Sequence, residues 1–101
     1  MAKQVIWSLR ARYDFFNLVE IIAKDSQSQA DIVGERFLSR IALLPMRPSQ
    51  GRKISEKFSK SSYRQVLVYQ LRLIYEVGQG NIEILAIIHT SRDLRRFLKA
   101  L

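Results

Sequence analysis

Hydrophobic residues recur at helical spacing through the first half of the chain and at strand spacing through the second. Lys3-Gln4-Val5-Ile6-Trp7 is short and rich in β-formers, and it predicts a first strand at a sheet edge. Ser8 can cap a helix that follows. From Leu9 to about Lys24, Phe15, Leu18, Val19 and Ile22 fall at steps of three and four. Asp25-Ser26-Gln27-Ser28 is a polar connector. A second helix is predicted from Gln29 to Leu44, with Ala30, Val33, Phe37, Ile41 and Leu44 on one stripe. Pro45 ends it, because proline disfavours the helical conformation of the residue before it. So short a link makes the two helices an antiparallel hairpin.

Met46 to Arg52, with Pro48 and Gly51, reads as a loop. Lys53 to Lys60 is compatible with a short strand and then a polar turn at Ser59–Ser62. Beyond it the period changes to two. Tyr63–Gln70, Leu71–Val77 and Ile82–His89 read as strands, the last two joined at Gly78-Gln79-Gly80-Asn81. Ser91 is expected to cap a final amphipathic segment, Arg92–Leu101, marked by Leu94, Phe97, Leu98 and Leu101. The expected fold is α+β in the order β-α-α-β-β-β. A helical hairpin packs on an antiparallel sheet, a short C-terminal helix follows, and residues 1–101 form one domain. Leu71, Leu73, Tyr75 and Val77 should face the hairpin. The opposite face should carry Arg72, Ile74, Glu76, Glu83, Leu85, Ile87 and His89. Both faces are apolar enough to need a cover, supplied by the tail or by a partner. Removing residues 92–101 is expected to leave the sheet folded.

Composition narrows the chemistry. The absence of cysteine excludes disulfides, cysteine nucleophiles and cysteine-based zinc sites, and a single histidine excludes a multi-histidine metal site. No metal or other cofactor is expected. No apolar run approaches the about 18–20 residues of a membrane span, and no signal-peptide core opens the chain. A cytoplasmic protein without a membrane partner is the expectation. The net charge is +8. Residues 1–45 hold six basic and five acidic side chains, whereas residues 46–101 hold eleven basic and four acidic ones. The second half therefore carries nearly all of the positive field, which attracts polyanions.

The residues from Tyr63 to Val77 resemble the central strands of the RelE/ParE toxin superfamily. Ile82-Glu83-Ile84-Leu85, followed by His89-Thr90-Ser91-Arg92-Asp93, is similar to the last strand and to the His-x-x-Arg-Asp ending common on the ParE side. Val5-Ile6-Trp7, the helical hairpin, and Pro45 followed by Gly51-Arg52 fall where the family places them. The resemblance implies a small bacterial toxin of a type II toxin–antitoxin module, with a cognate antitoxin whose acidic or amphipathic C-terminal segment covers it. RelE-like members cut messenger RNA on the ribosome, whereas ParE-like members inhibit DNA gyrase, a property tied to plasmid stabilisation.

The residues favour the ParE-like branch. Arg72 matches the arginine of the superfamily's Tyr-Arg-x-x-Tyr motif, but Leu71 replaces the first tyrosine. Gln65 and Leu67 stand where RelE-like proteins carry basic residues, and Arg64 has a spacing typical of ParE. No catalytic residue is expected on this reading. The alternative is a metal-independent endoribonuclease resembling YoeB, with Glu56, Arg72 and His89 in the site and ribosome-bound message as substrate. Thr90 occupies the position of that pattern's tyrosine. The candidates for target contact are Arg52, Arg64, Arg72, His89, Arg92, Arg95 and Arg96. Those for an antitoxin groove are Phe37, Ile41, Ile74, Leu85 and Ile87. Each has a plainer structural role available. His89 can bond the loop that opens the tail, Arg72 can pair with Glu83 or Glu76, and the tail cations can be a solvated helix face.

Overall fold

In the computed structural model, which describes residues 3–54 and 63–100, two helices of equal length form the hairpin. Helix α1 spans Leu9–Asp25 and α2 spans Gln27–Leu43, each of 17 residues. The connector shrinks to Ser26 alone. Its backbone N–H donates to the carbonyl of Ile22 to close α1, and its side chain accepts from Gln29 N–H to open α2. Helix α2 stops two residues before Pro45, as the proline requires.

The hairpin lies on one face of a five-stranded sheet in the order β1-β5-β4-β3-β2. The strands are β1 (Gln4–Trp7), β2 (Arg52–Lys53), β3 (Tyr63–Val68), β4 (Leu71–Val77) and β5 (Asn81–His89). Strand β1 is at an edge, as its position in the sequence suggests, but it pairs in parallel with β5. The sheet is therefore mixed rather than wholly antiparallel. The continuous strand read from Tyr63 to Gln70 also ends early. Tyr69 adopts a left-handed conformation (φ 56°), so the chain turns at Tyr69-Gln70 and Val68 pairs with Leu71.

The hairpin-side core holds Ala11, Phe37, Ile41, Leu44, Val66, Val68, Leu73, Tyr75, Ile82, Ile84 and Ile87. Phe15 joins it edge-on to Trp7 and Phe37, with ring centroids 5.5 and 6.3 Å away. Leu71, Leu73, Tyr75 and Val77 face the hairpin as the alternation predicts. The opposite face is covered by α3 (Leu94–Lys99), whose Leu98 is buried with Ile54, Ile74, Ala86 and Ile88. The tail is thus the cover that the second apolar face requires. Its N-cap is Asp93, which accepts from Arg96 N–H at 3.2 Å, and not Ser91. Loss of residues 92–101 would bare this second core.

A β-bulge resets the faces of β5. Ile74 pairs with Ala86 while Tyr75 pairs with Ile84, which leaves Leu85 as the extra residue. Strict alternation places Ile87 and His89 beside Arg72. With the bulge, Ile87 pairs with Leu73 and His89 with Leu71, and both face the helical hairpin. Ser8 and Asp14 hold this irregular stretch. Ser8 Oγ accepts from Ala11 N–H and donates to the Leu85 carbonyl at 2.9 Å. Asp14 accepts from the Ile87 N–H at 3.0 Å while paired with Arg10.

Candidate functional site

Three basic residues of the second half, Arg47, Arg52 and Arg64, lie in or against the segment that runs from α2 into β2. Tyr75, fully buried on β4, sends its hydroxyl into that loop. The hydroxyl donates to the Pro48 carbonyl at 2.7 Å and accepts from Gly51 N–H at 2.9 Å. Burial raises the Tyr75 pKa above its ordinary value, against smaller opposing effects of the Gly51 bond and the Arg64 charge. Gly51 is required by close approach. A Cβ there would stand 2.7 Å from the Tyr75 hydroxyl and 2.8 Å from the Gln65 carbonyl. Arg64 completes the clamp by donating to the Gly51 carbonyl at 2.9 Å. Arg64 is thus held within the fold, although the sequence nominates it equally for target contact.

The anchored loop places Arg52 opposite Gln65 on the edge of β3, and Leu67 opposite Arg72. These residues, with Gln50 and with Arg40 from the last turn of α2, line an open cleft of about 280 Å³. Arg72 donates to Gln65 Oε1 at 2.6 Å, rather than to Glu83 or Glu76. Its Nε is buried without a hydrogen-bond partner among the described residues. Among the described residues lining the cleft there is no carboxylate, histidine or tyrosine. Arg40 is the member that sequence reasoning missed. Its helical position gave no sign that α2 ends beside β3.

His89 lies elsewhere. Its Nδ1 accepts from Ser91 N–H at 3.0 Å and is 2.8 Å from Ser91 Oγ, so it organises the turn into the tail. It borders a second, more apolar groove of about 440 Å³ with Leu18, Ile22, Val33, Tyr69 and Leu71. Arg72 and His89, assigned together to the ribonuclease alternative, project from opposite faces of the sheet. Glu56 lies outside the described residues. Arg92, Arg95 and Arg96 are exposed on and just before α3, away from that groove. Of the residues nominated for an antitoxin groove, Phe37, Ile41, Ile74 and Ile87 are buried by the chain itself, and Leu85 is half-buried. They build the two cores instead of a common open surface.

A helical hairpin on a mixed sheet, backed by a short C-terminal helix, defines a small α+β protein with a strongly basic second half. The family model for the ParE toxin of the type II toxin–antitoxin system parDE matches residues 5–94, and the chain belongs to that family. Its fold is similar to that of a chain in the solved chromosomal ParDE toxin–antitoxin system from P. aeruginosa. That match has a TM-score of 0.68 at 15% identity and covers 87% of this chain and 96% of the other. At that identity the likeness concerns the fold. No curated protein matches the sequence. Among the described residues, no helix is long and apolar enough to cross a membrane, and no group of side chains is arranged to hold a metal ion.

Proposed function

We propose that this ParE-family toxin inhibits DNA gyrase and is neutralised by a cognate antitoxin. The observation that carries the choice over a ribonuclease is the separation of Arg72 from His89 by the sheet. Cleavage at a 2′-hydroxyl needs a proton acceptor and a stabilising cation at the same phosphate. The cation on one face and the imidazole on the other do not meet that need. Inhibition by binding asks only for a complementary surface, and Arg52, Arg92, Arg95 and Arg96 supply exposed charge for it. The antitoxin takes the groove between the helical hairpin and the Tyr69-Gln70 turn. An amphipathic segment there would lay apolar side chains on Leu18, Ile22 and Leu71. Such segments order on binding and so wrap a large area. The action belongs in the bacterial cytoplasm, where both partners reside. The test is to incubate the purified protein with gyrase and supercoiled DNA and measure trapped cleaved DNA, beside a translation-coupled assay of message cleavage.

A further inference from the structure

We infer that the cleft bounded by Arg40, Arg52 and Arg72 is a binding site for a phosphate group of a nucleic-acid backbone. Three arginines line it, two of them half-buried, with no carboxylate among the described lining residues. Like charges gathered in a partly desolvated cleft repel one another, and an anion relieves that cost. Arg72 has one hydrogen bond among the described residues, to Gln65, and a buried Nε with none. A buried donor without an acceptor calls for an explanation such as a bound ion. Phosphate fits better than carboxylate. Its oxygens can accept from three planar forks at once, whereas a carboxylate is filled by one or two. The cleft volume of about 280 Å³ exceeds that of a lone oxyanion and leaves room for the attached sugar.

The cleft is built to hold and not to cut, since its described lining offers no carboxylate, imidazole or phenol to serve as acid or base. Nothing in this inference depends on gyrase being the target. The test is titration of the full chain with a fluorescently labelled short DNA duplex over a range of salt concentrations. The double variant Arg40→Gln/Arg52→Gln should weaken binding about tenfold or more and make the salt slope shallower by about two phosphate contacts. The double variant Arg12→Gln/Lys24→Gln removes the same charge from exposed positions on α1. It should change affinity less than about threefold. Arg72→Lys keeps the charge but loses the fork, and should weaken binding several-fold. Arg52 is exposed, so Arg52→Gln alone provides a variant whose folding is not at stake. Equal losses in the two double variants, or no binding by the unmodified protein, would overturn the assignment. So would displacement of the duplex by a polyglutamate peptide at matched charge, which would make the cleft a receptor for acidic protein.

Discussion

The Tyr75 hydroxyl bridges the two ends of the Pro48–Gly51 loop, accepting from Gly51 N–H at 2.9 Å and donating to the Pro48 carbonyl at 2.7 Å. One buried side chain thereby fixes the loop that delivers Arg52 to the cleft. Tyr75→Phe leaves both loop groups without this partner and should cost about 1–3 kcal/mol. Gly51→Ala forces a Cβ into the same hydroxyl and should cost at least about 1–3 kcal/mol. Denaturant unfolding measures both. Combined, the two changes should be less than additive, because they disturb one contact.

The same tyrosine gives an alkaline signature. Its folded-state pKa is raised by burial, above the value of about 10 expected in the unfolded chain. Above about pH 10 the unfolded chain therefore releases a proton that the folded chain retains. This contribution to stability is complete below pH 10 and declines as pH rises toward the folded-state pKa. Tyr75→Phe should flatten the decline of stability as pH rises above about 10, measured as the unfolding midpoint against pH.

The tail is a structural element as well as a carrier of charge. Leu98→Ala should destabilise the protein by about 2–5 kcal/mol, since Leu98 is buried against Ile74, Ala86 and Ile88. Deletion of residues 92–101 should lower the melting temperature further and expose surface that binds a hydrophobic dye. Loss of growth inhibition on deletion alone would therefore not separate folding from target contact. Exchange of the exposed Arg92 and Arg96 for glutamine separates them, because it removes charge while leaving the apolar face of α3 in place.

Much of this was legible in the chain. The apolar stripes of the two helices, the cap at Ser8, and the alternation of Leu71, Leu73, Tyr75 and Val77 report local geometry, which is what periodicity encodes. The missed features are non-local or break the period. The turn at Tyr69-Gln70 contains neither glycine nor asparagine, so the chain gives no warning of a left-handed residue there. The bulge at Leu85 inserts one residue into a perfect alternation, and everything after it changes face. Strict alternation puts Ile87 and His89 on the wrong face for that reason alone. The parallel pairing of β1 with β5 and the arrival of Arg40 beside β3 depend on how distant elements close together. The five groove candidates are all apolar, and a small protein needs such residues for its own cores.

His89 offers a direct check on the enzymatic alternative. Its Nδ1 is engaged by Ser91 N–H at the strand end. His89→Ala should cost about 1 kcal/mol or less, and growth inhibition should persist when expression is matched. Complete loss of toxicity in a folded His89→Ala protein would point instead to proton transfer by the imidazole.

Gyrase itself provides the most direct measurement. Purified toxin is added to gyrase, supercoiled DNA and ATP, and protein-linked broken DNA is counted after denaturation. The proposal predicts that broken DNA accumulates with toxin concentration and disappears when the cognate antitoxin is added first. Intact DNA at saturating toxin, together with codon-positioned cuts in a translated message, would contradict it.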